Sequence, residues 1–281
     1  MLVTGETRHQ KAFLIVGPKR SGKGTIARIL TQLLGQDNVC GPTLSGLGHQ
    51  FGVAPLIGKR LAIISDARLS GRADQQVIAE RILSITGEDS LTVDRKFREG
   101  WTGRLETRFV VFSNELPRLG DASGALAGRF ILWTLTKSFY GIEDLGLGDR
   151  LSCELPGILN WAIEGWARLK ERGRFVQPES ANDAQREMKD LGSPIGAFLR
   201  DRCVINAGKK VEVSSLFAAW QEWCGANGRD HPGNLQSFGR DLRAAVPGLK
   251  LTKSRNKDGS RSGVYRGVGL TKDRGVKSSK Y

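Results

Sequence analysis

Nine consecutive residues, Gly17-Pro18-Lys19-Arg20-Ser21-Gly22-Lys23-Gly24-Thr25, have the types and spacing of a phosphate-binding loop. Glycines allow backbone N–H groups to converge on a β-phosphate, and the Lys23 ammonium can reach the β and γ oxygens. The residue after the lysine is Gly24, so the hydroxyl that would ligate Mg²⁺ falls to Thr25. Such a loop does its chemistry only between a buried strand and a helix. Residues 11–16 (Lys11-Ala12-Phe13-Leu14-Ile15-Val16) form a short apolar run that reads as the strand. Thr25 to Leu34 carries apolar residues at helical spacing, with Gly35 as a C-cap.

A nucleotide bound here needs a second acid for its metal, delivered from the end of a neighbouring strand. Asp66 ends the apolar run Leu61-Ala62-Ile63-Ile64-Ser65, 43 residues after Lys23, and would share the metal with Thr25. Taken alone it reads equally well as a turn or cap residue. Asn114 ends the strand-like run from Arg108 to Ser113, where its amide could orient an attacking water. Arg129 opens the next such run, to Thr134, and could act as a finger at a nucleotide site. Asp74 to Ile85 reads as a helix and Ser90 to Thr107 as a hairpin or irregular loop. Strands alternating with helices give an α/β fold built on a parallel sheet. A further helix, Leu151 to Glu171, places Leu155, Ile158, Leu159, Ala162, Ile163, Trp166 and Leu169 on one face and is expected to close this domain.

In this order, the phosphate loop, Asp66, a basic loop around Lys96, Asn114 and Arg129 resemble the helicase core of the phage and plasmid primase family, a branch of superfamily 3. Residues 84–96 resemble that family's extra motif between the Walker B acid and the sensor, and Ser113-Asn114-Glu115-Leu116-Pro117 resembles its sensor. The resemblance implies an AAA+ type P-loop NTPase core using ATP and Mg²⁺, assembled as a homo-hexameric ring. It implies that Lys96, with Arg95, lies on a pore hairpin gripping single-stranded DNA, and that Arg129 serves the adjacent subunit. Many relatives carry a second acid beside the Walker B residue. Here Ser65 and Ala67 flank Asp66, so the general base is unassigned, with Glu80 and Glu88 as candidates. Relatives also carry a collar and often a primase domain upstream, whereas this chain begins close before the phosphate-loop strand, so priming is not expected.

The charge supports a polyanionic partner. The 281 residues carry +14 overall, and residues 196–281 hold 17 basic against 7 acidic side chains. Within that region Pro194 to Arg202, Ser214 to Cys224 and Asn234 to Ala245 read as amphipathic helices, with Ser214 and Asn234 as N-caps. Leu249 to Lys253 and Gly263 to Val268 flank Asp258-Gly259, a hairpin turn signal. Three helices and a hairpin suggest a small winged-helix domain. Its third helix would offer Gln236, Ser237, Arg240 and Arg243 to the major groove, while Lys253, Arg255, Lys257 and Arg261 on the wing would meet phosphates. The expected organisation is an ATPase domain over residues 1–178, a polar linker over 179–193, the winged-helix domain over 194–270 and a basic tail over 271–281.

Composition excludes other classes. Cys40, Cys153, Cys203 and Cys224 lack metal-site or disulfide spacing, no apolar run could span a bilayer, and the N-terminus is unlike a signal peptide. These features read as a cytoplasmic protein with reduced thiols. The expectation is an ATP-dependent DNA helicase for phage, plasmid or integrated-element replication. Two alternatives remain: a small-molecule kinase, since Gly22-Lys23-Gly24-Thr25 resembles the loop of adenylate kinases, and a DNA-binding module with a degenerate ATPase core.

Overall fold

The computed structural model describes residues 6–65, 67, 72–117, 119, 121, 124–229, 231–255 and 261–271, without the side chains of 72–74, 254, 255 and 261. The chain divides into two compact units, the first covering residues 1–121 and 125–192 and the second 122–124 and 193–281.

In the first unit, five parallel strands are ordered β2-β3-β6-β1-β7: β1 (Ala12–Val16), β2 (Val39–Cys40), β3 (Leu61–Ile64), β6 (Arg108–Ser113) and β7 (Phe130–Thr134). β3 and β6 are buried at every position, as expected of parallel strands covered on both faces. Alternate residues of each strand enter opposite cores. Leu14, Ala62, Ile64, Phe109 and Val111 join Ile78, Ile82 and Ile85 of α2 (Arg72–Gly87) and Leu126 of α3 (Ala125–Arg129). Ile15, Leu61, Ile63, Val110 and Phe112 face the other way, toward Ile26, Ala27, Leu30 and Leu34 of α1 (Lys23–Leu34). Between β3 and β6 the chain also forms an antiparallel hairpin of β4 (Ser90–Arg95) and β5 (Arg98–Arg104).

Two expectations for this unit are corrected. The helix expected from Leu151 to Glu171 is two, α4 (Leu147–Cys153) and α5 (Leu155–Arg172), parted at Glu154. Of the seven apolar residues on its expected inner face only Leu169 is buried, while Ile163 and the neighbouring Trp161 are exposed. The polar segment expected to link the domains contains α6 (Asn182–Gly192), which inserts Met188 into the first unit's core beside Ala181. One well-placed methionine on an amphipathic helix outweighs a low mean hydropathy.

The second unit runs α7 (Pro194–Arg202), β8 (Cys203–Glu212), α8 (Val213–Ala226), α9 (Leu235–Ala245), β9 (Lys250–Arg255) and β10 (Arg261–Leu270). Its antiparallel sheet has the order β8-β10-β9, with the last strand in the middle. Strand β8 was not anticipated from the sequence. Phe198, Trp220, Trp223 and Phe238 form the aromatic core, with the two tryptophan rings stacked at 5.6 Å. Both indoles keep a partner: Trp220 Nε1 donates to Pro232 O at 2.8 Å and Trp223 Nε1 to Asp201 Oδ2 at 3.1 Å.

Helix α9 begins with a capping box. Asn234 Oδ1 accepts from Ser237 N at 2.8 Å while Asn234 N donates to Ser237 Oγ at 3.1 Å. Asn234→Ala is therefore expected to cost about 1 kcal/mol, read from the denaturant midpoint of this unit. Ser214 does not cap α8, whose N-cap position is Glu212 with no side-chain bond to the helix N-terminus.

Candidate functional site

The phosphate loop leaves the C-terminal end of β1 and is held between its two neighbours. Gly17 N donates to Ser113 O at 3.1 Å on the β6 side, and Leu135 N donates to Val16 O at 2.7 Å on the β7 side. A Cβ on Gly17 would lie 2.7 Å from Leu135 Cβ and 2.8 Å from Leu135 O, so only glycine admits this approach. Arg20 and Gly22 adopt left-handed backbone, φ 58° and 91°, turning the chain into α1. No side chain caps α1, whose first N–H groups and dipole face the loop. Lys23 Nζ donates to Gly17 O and Pro18 O, both at 2.7 Å, and to Ser21 Oγ at 3.2 Å. Burial lowers its pKa from the ordinary lysine value. This cradle suits a nucleotide polyphosphate. Gly17→Ala should displace Leu135 and the loop together, lowering nucleotide affinity at least tenfold, about 1.4 kcal/mol, by isothermal titration.

Strand register places the remaining predicted residues. Val16 is opposite Ser113, so Asn114 stands exposed beside Gly17. β3 runs parallel to β6 and ends at Ile64 opposite Val111, two residues before β6 ends at Ser113, so the chain leaves β3 toward the same edge. Asp66 itself lies outside the described residues. Thr25 Oγ1 accepts from Arg28 Nη2 at 3.1 Å. Among the described residues no three His, Cys, Asp or Glu side chains gather into a metal site.

Arg129, the last residue of α3, sits at the opposite edge, because Phe130 pairs with Ala12 at the beginning of β1. The length of β1, roughly 13 Å at ~3.3 Å per residue, separates it from the loop of its own chain. Its guanidinium donates to Gln10 Oε1, whose amide donates to Gly87 O at 3.1 Å. Glu88 is on that edge as well, accepting from Thr7 Oγ1, and Glu80 accepts from Gln76 on α2 at 3.1 Å. Among the described residues neither is hydrogen-bonded to the phosphate loop.

One neighbouring segment escaped the sequence reading. After β7 the chain folds over the loop: Ser138 Oγ donates to Lys19 O at 2.8 Å, Phe139 N to Arg20 O at 3.0 Å, and Arg20 Nε pairs with Glu143 at 3.3 Å. Its polar composition carries no periodic signal that could have identified it.

The β4–β5 hairpin places Lys96 and Phe97 at its two-residue tip. Phe97 has φ 58° and 93% exposure, and Lys96 Nζ lies 5.1 Å above its ring. Arg95 is drawn back by its Nε bond to Glu99 O at 2.8 Å. The base of the hairpin is anchored by buried Val93, paired with Trp101.

In the second unit Arg240 and Arg243 are exposed on α9, the former paired with Asp241 at 2.9 Å, and Lys253 is exposed on β9. Gln236 is exposed as well, but Ser237 is committed to the helix cap. Arg255 pairs with Arg261 across β9 and β10. Lys257, like the tail from residue 272 onward, lies outside the described residues. Burial pushes the thiols up, to about 11 for Cys40 and about 12 for Cys203, so both act as small apolar groups. No helix among the described residues is long and apolar enough to cross a membrane.

Comparison with known proteins follows these units. Residues 15–129 match a family of unknown function, DUF5906, and residues 193–273 match the poxvirus D5 protein-like family. The A form apo structure of the NrS-1 C-terminal region superposes with a TM-score of 0.51 at 11% identity, over 92% of this chain and 67% of that one. A second apo structure of that region gives 0.49 at 13% identity, over 93% and 68%. JCV helicase, bound to a small molecule, gives 0.37 at 15% identity, over 84% and 56%. The chain thus shares the fold of the NrS-1 C-terminal region, and its second unit is similar to poxvirus D5-like proteins.

Proposed function

We propose that this chain is an ATP-dependent DNA helicase of the superfamily 3 type, acting in the replication of a phage, plasmid or integrated mobile element. The observation that carries the reading is the Val16–Ser113 register, which sets a polar amide, Asn114, beside a phosphate loop at the C-terminal edge of a parallel sheet. Ligands of such sheets bind beyond the strand C-termini, where the connections diverge to opposite sides. Here β1 is followed by a crossover to β2 on one side, while β6 is followed by β7 on the other.

In this reading Lys23 and the loop N–H groups hold the β and γ phosphates, Asn114 orients water, and Thr25 with Asp66 holds Mg²⁺. ATP supplies the transferable phosphoryl group and Mg²⁺ neutralises its charge. Arg129, remote from its own loop, serves the neighbouring subunit of a homo-hexamer. The Lys96–Phe97 tip, with Arg95 behind it, contacts single-stranded DNA in the ring pore. The order α7-β8-α8-α9-β9-β10 suits a winged helix, with Arg240 and Arg243 on the recognition helix and Lys253, Arg255, Lys257 and Arg261 on or beside the wing.

The test is ATP hydrolysis by the purified chain with and without single-stranded DNA, together with its mass in solution. DNA-stimulated turnover by an oligomer supports the helicase. DNA-independent turnover by a monomer would replace it with a kinase, and tight DNA binding without turnover with a degenerate module.

A further inference from the structure

Strand β8 brings an unexpected charge pattern into the second unit. Arg266 of β10 is directly opposite Lys210 of β8 on one side and Lys250 of β9 on the other. All three are exposed, and no carboxylate pairs with them among the described residues. The adjacent Tyr265 points into the helical core, where a Cβ on Gly239 of α9 would meet its hydroxyl at 2.9 Å. Alternation therefore turns Arg266 and its two partners to the face away from α9. Glu212 shares this face two residues along β8, where Ser262 Oγ donates to it at 3.4 Å, and Thr252 shares it on β9.

Like charges directly opposite each other destabilise a sheet. Three in one row, about 10 Å from end to end at ~4.8 Å per strand, form a surface that an anion would relieve. The three side chains are exposed on an open strand face, unlike the concave nests of backbone N–H groups that select a discrete small anion. Its complement is a chain of charges at short, regular spacing. We infer that the outer face of the β8-β10-β9 sheet binds a nucleic-acid phosphate backbone through Lys210, Arg266 and Lys250, giving this unit a second DNA contact on the side opposite α9. The choice of polyanion rests on the DNA-binding reading above; the surface itself does not.

The experiment is fluorescence anisotropy of the full chain with a labelled duplex over a range of salt concentrations, comparing R266Q, the triple variant K210Q/R266Q/K250Q and the α9 variant R240Q/R243Q. Loss of one phosphate contact lowers the log–log salt slope by about 0.9, which is about eightfold in affinity near 0.1 M salt. The triple variant should lose about 2.7 in slope while melting no lower than the parent, because repulsion has been removed. An unchanged slope in the folded triple variant, with the α9 variant impaired, would overturn the second contact and leave the winged-helix reading standing. If neither variant alters DNA binding, both readings fail. Unchanged DNA binding with lost affinity for phosphatidylserine vesicles would also overturn the proposal and assign the row to a membrane surface.

Discussion

Lys23→Ala is expected to lower ATP turnover by about two to three orders of magnitude, the loss typical of removing one preorganised electrostatic donor. The ammonium lies 2.7 Å from two loop carbonyls, Gly17 O and Pro18 O, so its charge is held at the loop itself. Alanine at the first position of α1 is a good helix former, and the fold should persist. Arginine should not rescue, since a planar guanidinium cannot take the place of a compact ammonium among three oxygens. DNA affinity measured without nucleotide should change by less than about twofold, because Arg240, Arg243 and the sheet face belong to the other unit. Parallel loss of DNA binding would mean that the substitution had unfolded the chain.

Lys96→Ala should separate hydrolysis from movement: unwinding falls at least tenfold, about 1.4 kcal/mol, while ATP turnover without DNA stays near that of the parent. The hairpin tip projects beyond the anchored pair Val93 and Trp101, so a substitution at its end is expected to leave the phosphate loop unchanged. Phe97→Ala should act alongside it. A phenylalanine held in left-handed backbone at 93% exposure is suited to stack on a base, and such stacking contributes about 1–3 kcal/mol per base. The two losses differ in kind. Affinity for single-stranded DNA should lose salt dependence in the lysine variant and lose a salt-independent part in the phenylalanine variant. Normal unwinding by Lys96→Ala would remove the pore assignment.

Residues whose burial is written into a continuous pattern were legible from sequence. The run from Ala12 to Val16, the glycines of the loop and the apolar runs of β3 and β6 each allow one physical solution, a buried parallel strand or a tight turn. The Asn234 cap was legible because its chemistry is local. Strand β8 was not, since eight of its ten residues are exposed and pairing with β10 holds it in place. Its partner lies more than fifty residues away, beyond the reach of any local pattern. The reverse failure occurred at α5, where an apolar face is present but most of it meets no core. Arg129 was expected to open a strand but ends α3, with β7 beginning at Phe130, and only register reveals which edge it occupies.

The central position of β10 has a consequence for synthesis. Among the described residues β8 and β9 do not pair with each other; each bonds to β10, which follows both in the sequence. When the chain has emerged as far as β9, this unit therefore carries three helices and two unpaired strands but no sheet of its own. Closure of this unit waits for residues 261–270 and depends on contacts distant in sequence, which slows folding. The first unit, whose strands are complete by Thr134, can collapse on the ribosome well before that. Premature termination between Arg255 and Arg261 would then yield an intact phosphate loop joined to an aggregation-prone stub, a species that protein quality control would meet as half-native.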